Sequence, residues 1–134
     1  MAATFLGPAV GIYWELLESY GVDPGPVFVE TGIDPTRLED PNARYSYEKV
    51  DNLWRRMVEI SADPCIGLKA ADFWHPSFYG ALGYAWLTSS SLRTAMHRYQ
   101  RYIRILTEGA ELVLEECDEG LKLMLSYKAI SQQQ

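Results

Sequence analysis

The sequence predicts an α+β fold, with a predominantly helical N-terminal part of about five or six helices followed by an antiparallel β-hairpin packed on the helices. Three observations predict it. Apolar residues recur at helical spacing as far as Leu106. Beyond Gly109 the period drops to two. Proline and glycine divide the first hundred or so residues into short segments, too short for a long bundle.

Gly7-Pro8 breaks the N-terminal segment, and Val10, Tyr13, Trp14 and Leu17 then lie on one helical face with Gly21 as a stop. Pro24 and Pro26 suit the start of a second short helix carrying Val27, Phe28 and Val29, which Gly32 ends at Thr31. Asp34-Pro35 begins a third short turn carrying Leu38. These short helices have the look of a helix-turn-helix unit. Its acids, from Glu15 and Glu18 through Asp34 and Asp40, argue against DNA contact and for a structural helix pair.

Ser46 is a good N-cap, with Glu48 in the first turn. Val50, Leu53, Trp54, Met57 and Val58 follow as one apolar stripe. Asp63-Pro64 opens another short helix, through Ile66, Leu68, Ala70 and Ala71, which must end near Trp74-His75-Pro76. The next segment, from Pro76 or Ser77, carries Gly80, Ala81, Gly83 and Ala85 among large apolar residues. It reads as a helix buried almost all round, with its small residues allowing close backbone approach.

Thr88-Ser89-Ser90-Ser91 is a run of capping residues. The helix after it places Leu92, Ala95, Met96, Tyr99, Tyr102, Ile103 and Leu106 on about a third of its circumference. Leu112 and Leu114, then Leu121, Leu123, Leu125 and Tyr127, alternate with other residues out to Lys128. Asp118-Glu119-Gly120 supplies the turn between them. The hairpin's leucine face needs helices to pack on, and its open edge invites another strand.

At 134 residues the chain is a single domain by length, spanning 1–134. Its net charge of −6 repels a phosphate backbone, so direct nucleic-acid binding is not expected. No apolar run approaches the roughly 20 residues of a membrane span. Two cysteines, Cys65 and Cys117, far apart and without CxxC spacing, fit a reduced cytoplasmic compartment.

The two histidines, His75 and His97, and the two cysteines pair at no ligand spacing, so no metal and no cofactor is expected. His75 reads as a capping residue before Pro76. The serine run lacks a nucleophile elbow, and no paired carboxylates stand in an apolar context. An enzyme is therefore not expected. What remains is aromatic. Trp74, Phe78, Tyr79, Tyr84, Trp86, Tyr99 and Tyr102 fall on adjacent segments and could line a small-molecule pocket, with Arg98 beside the tyrosines to hold a carboxylate. Taken singly, each ring also fits a core position, and Arg98 also fits pairing with Glu108.

One ordered set of short pieces covers most of the chain: Gly32-Ile33-Asp34-Pro35, Leu38, Asp40-Pro41, Arg44, Leu53-Trp54, Asp63-Pro64-Cys65-Ile66-Gly67-Leu68, Gly80-Ala81-Leu82-Gly83-Tyr84-Ala85, Ser89-Ser90-Ser91-Leu92, Ala95 and Arg101-Tyr102. In this order and spacing it resembles the N-terminal effector domain of AraC/XylS-type bacterial transcription regulators. The resemblance implies a cytoplasmic sensor or dimerisation domain. An unknown small-molecule effector, of small-acid or acyl type, would act on a separate C-terminal helix-turn-helix module that contacts DNA. It also implies that this chain holds the effector domain without that module, truncated on its C-terminal side, with a possible homodimer through the hairpin edge.

Overall fold

The computed structural model describes residues 3–127. Lys128, which the alternation assigns to the hairpin, and the terminal Gln132–Gln134 lie outside them. Among the described residues six α-helices precede one long hairpin, so the α+β expectation holds.

Helix α1 (Gly7–Ser19) begins with Pro8 in its first turn, and the chain reverses after it through Gly21 at φ +71°. Helix α2 (Pro24–Glu30) is capped by Asp23, whose side chain accepts from the Gly25 N–H. Helix α3 (Tyr47–Ser61) starts where expected, with Ser46 Oγ accepting from the Lys49 N–H. The α3 stripe buries Val50, Leu53 and Met57 against Val10, Leu16 and Leu17 of α1 and against Phe28 of α2. This is the main core. A Ser46→Ala change removes the cap and is expected to cost about 1 kcal/mol in a urea melt.

Two short strands were not legible in the sequence. β1 (Thr4–Leu6) pairs antiparallel with β2 (Arg44–Ser46). Each has three residues, which is too few for an alternating pattern to show, and they lie far apart in sequence. Charged and polar groups clamp this ribbon to the end of the helical part. Glu108 accepts from both the N–H and the hydroxyl of Thr4, at 2.8 and 2.9 Å. Arg44 donates to Thr4 Oγ1 and to the Ile105 carbonyl, and pairs with Glu108 at 3.3 Å. Glu108 is therefore the partner of Arg44 rather than of Arg98.

After α3, a 3-10 turn over Ile66–Lys69 runs into the short helix α4 (Ala70–Phe73). A second 3-10 turn, Pro76–Tyr79, is capped by His75, whose Nδ1 accepts from the Ser77 N–H. Helix α5 (Gly80–Leu87) follows, entered through Gly80 at φ +56°. Burial here departs from expectation. Leu82 and Gly83 are buried, while Ala81, Tyr84 and Leu87 face outward and are exposed. Helix α5 packs against the preceding turn and against helix α6 (Leu92–Tyr102), and turns Leu82 toward Leu6 and Leu106. Ser91 caps α6, with Oγ accepting from the Thr94 N–H.

The hairpin pairs β3 (Ala110–Cys117) with β4 (Gly120–Tyr127), with Leu112 opposite Leu125 and Leu114 opposite Leu123. Its base packs on the helices, where Ala110 and Leu112 are buried with Ile103 beside Met96 and Tyr99. Along β4 the same face is only partly covered, with Leu125, opposite the buried Leu112, 44% exposed and Leu123 47%.

Candidate functional site

The turn before α5, the end of α5 and the middle of α6 bring Trp74, Tyr79, Trp86 and Tyr99 around one open hollow of about 320 Å³. Met96 completes the lining and was not singled out from the sequence. Its position one turn before Tyr99 on the apolar face of α6 was the available signal. Trp74 stands edge-on to Tyr79 at 5.5 Å between ring centres and 75° between planes. Trp86 meets Tyr99 at 5.9 Å and 83°. Tyr79 and Tyr99 are nearly parallel, at 6.1 Å and 18°. Burial pushes the hydroxyls of both tyrosines above their ordinary range, so they stay neutral phenols through the physiological range.

The other sequence candidates lie elsewhere. Phe78 points to the opposite side of its turn, where its ring approaches Gly11 of α1. There it borders a larger, open groove of about 730 Å³ with Pro8, Trp14 and the Pro35–Pro41 segment. Tyr84 is largely solvent-facing. Tyr102 is also exposed, with the Arg101 guanidinium over its ring at 5.4 Å.

Arg98 is not among the residues lining the hollow. Its Nη1 donates to the Ala85 carbonyl at 2.9 Å and to Ser89 Oγ at 3.0 Å. It thus joins the Thr88 and Ser89 hydroxyls at the C-terminal end of α5, where the helix dipole favours a cation. Arg98→Ala is expected to lower stability by about 1–3 kcal/mol in a thermal or urea melt, by leaving those acceptors without their charged donor.

Among the described residues no group of three or more His, Cys, Asp or Glu is placed to hold a metal ion, and no helix is long and apolar enough to cross a membrane. Cys65 and Cys117 are free and exposed. His97 lies on the exposed side of α6, 3.8 Å from Glu116, which also pairs with Arg93. The site is therefore a largely apolar, aromatic concavity whose lining includes no Asp, Glu, Lys, Arg or His.

Comparison with known proteins gives the family. Residues 21–133 match the family described as the arabinose-binding domain of AraC transcription regulator, N-terminal. The chain belongs to this AraC-regulator domain family. An ornithine utilization regulator of Pseudomonas aeruginosa is 31% identical over 100 residues, covering 75% of this chain and 30% of that protein. HTH-type transcriptional regulators of Mycobacterium tuberculosis and Mycobacterium bovis are each 24% identical over 109 residues, covering 81% of this chain and 32% of theirs. This AraC-type domain thus spans about a third of the length of the curated relatives it matches. Several motif residues that carry the family likeness have plain structural tasks. Asp34 caps its turn by accepting from the Thr36 N–H, and its carbonyl accepts from the Tyr45 hydroxyl. Asp63 accepts from the Cys65 N–H, and Gly67 gives room to the Trp54 ring.

Proposed function

We propose that this domain is the small-molecule sensor of a cytoplasmic AraC-type transcription regulator, with the hollow between α5 and α6 as its effector site. The observation that carries the reading is the convergence of Trp74, Tyr79, Trp86, Met96 and Tyr99 on one accessible apolar concavity. Met96 and Tyr99 also pack against the cluster of Ile103, Ala110 and Leu112 at the base of the hairpin. An effector seated among the rings presses on α6 and so on the hairpin. Differential affinity for two placements of α6 would then bias an attached helix-turn-helix module of the kind its relatives' names describe. With its net charge of −6, the domain leaves DNA contact to that module.

Native mass spectrometry beside the denatured mass tests this reading. The expected result is a reproducible extra mass, lost on denaturation and absent from a Trp86→Leu variant. An extra mass retained in full by that variant would place the effector elsewhere.

The exposed side chains and open edge of β4 support a second reading, a dimerisation domain that needs no ligand. Leu123, Leu125 and Tyr127 are exposed on one face of a two-stranded sheet, and the outer edge of β4 pairs with no described strand. A second copy adding β4 to β4 would satisfy that edge and bring the two rows of apolar side chains next to each other. On that reading a Leu123→Glu, Leu125→Glu double variant sediments as a monomer where the parent is a dimer. Because both leucines are exposed in the single chain, the variant monomer is expected to keep the parent's far-UV circular dichroism. A dimer that survives both charges would remove this reading.

A further inference from the structure

We propose that the aromatic hollow selects an organic cation of the quaternary-ammonium class, such as a trimethylammonium head group. The inference rests on the reading of the hollow as the effector site and adds the charge and shape of what enters it.

The lining holds four aromatic rings and a thioether, and no Asp, Glu, Lys or Arg. A ligand's charge must therefore be met by the rings themselves. Aromatic faces carry negative quadrupole potential and attract cations, with indole the strongest. The two indoles stand near perpendicular to a nearly parallel pair of phenols. Rings set at two orientations along an open hollow offer a rounded guest more than one π face, whereas a stack of parallel planes admits only a flat one. Both phenols stay neutral and so keep their π faces without becoming fixed anions.

Other charge classes fit less well. A carboxylate would meet no cation, because Arg98 lies outside the lining and its Nη1 serves the end of α5. A primary ammonium is strongly hydrated and would lose that hydration with no carboxylate to replace it. A quaternary ammonium has no N–H to satisfy and spreads its charge over methyl groups that pack on rings and on Met96. A net charge of −6 also draws cations rather than anions toward the domain.

The test uses tryptophan fluorescence and calorimetry with three probes: choline, its uncharged carbon isostere 3,3-dimethyl-1-butanol, and hexanoate. Choline is expected to bind at least about tenfold more tightly than the uncharged isostere, the factor a desolvated cation–π site supplies. Trp86→Leu, and separately Trp74→Leu, each lower choline affinity by about tenfold with far-UV circular dichroism unchanged. Trp14→Phe, on α1 outside the hollow, leaves it unchanged. Equal binding of choline and the isostere, or a preference for hexanoate, overturns the cation assignment while leaving the hollow as an effector site. Binding by none of the three also overturns it, and the sensor reading then rests on the mass measurement alone.

Discussion

Gly83→Ala is expected to destabilise the domain by at least about 3 kcal/mol, lowering its melting temperature by roughly 10 °C or more. Propensity alone argues the other way, since alanine in a helix is favoured over glycine by up to about 1 kcal/mol. Packing decides the sign. A Cβ at position 83 would lie 1.9 Å from the Pro76 carbonyl oxygen and under 3.0 Å from the Pro76 C and Cα. All three are backbone atoms of the turn that precedes α5, so no side chain can swing aside. The turn and α5 must separate, and they carry Tyr79 and Trp86, two walls of the hollow. On the sensor reading, the variant should therefore lose binding in the hollow together with stability. Gly11→Ala is the control. Its Cβ would meet only the Phe78 ring, at 3.2 Å, which can tilt, so a change within about 1 kcal/mol is expected. Thermal and urea melts of both variants decide the matter, and a Gly83→Ala protein as stable as its parent would show that the close approach is not a real constraint.

This glycine also marks how far the sequence could be read. Small residues in the α5 segment signalled close approach, but not to what. The answer, a backbone carbonyl seven residues earlier, exists only once the Pro76–Tyr79 turn has folded back. Helices α1, α2, α3 and α6 were legible because their boundaries are local chemistry, with Asp23, Ser46 and Ser91 capping just where their side chains allow. The β1–β2 ribbon was not, because three-residue strands carry no periodicity and their partners, like the Glu108 that bonds Thr4, lie far apart in sequence.

The site was legible in part for a similar reason. Aromatic residues could be counted on adjacent segments, yet the direction of each ring depends on the turn between them. Phe78 and Tyr79 are neighbours in sequence, and the 3-10 turn sends one toward α1 and the other into the hollow. Arg98 read as a carboxylate binder because a cation beside tyrosines permits it. The Ala85 carbonyl and the Ser89 hydroxyl at the end of α5 gave its guanidinium nearer partners. The motif that shows the family is largely a grammar of caps and close approaches, which is why it speaks for the fold more clearly than for the effector.

Phe28→Ala is expected to cost about 3–5 kcal/mol, a large share of the roughly 5–15 kcal/mol that holds a domain of this kind together. Phe28 is 0% exposed, and its ring packs edge-on to Trp14 at 5.3 Å in the core built by α1, α2 and α3. Truncation removes the transfer energy of the ring and leaves a cavity that three helices cannot close without losing their own contacts. This core and the aromatic hollow have no residue in common, for Trp74, Tyr79, Trp86 and Tyr99 lie outside the cluster that holds Phe28. The two defects should therefore act separately. Well below its lowered melting temperature, Phe28→Ala is expected to keep parental affinity for whatever occupies the hollow. Combined with Trp86→Leu, its stability cost should add to within about 0.5 kcal/mol. A coupling well beyond that, or a loss of binding in Phe28→Ala while the domain is still folded, would mean that the core and the hollow form a single cooperative unit. An effector would then act on the whole helical body rather than on α6 and the hairpin.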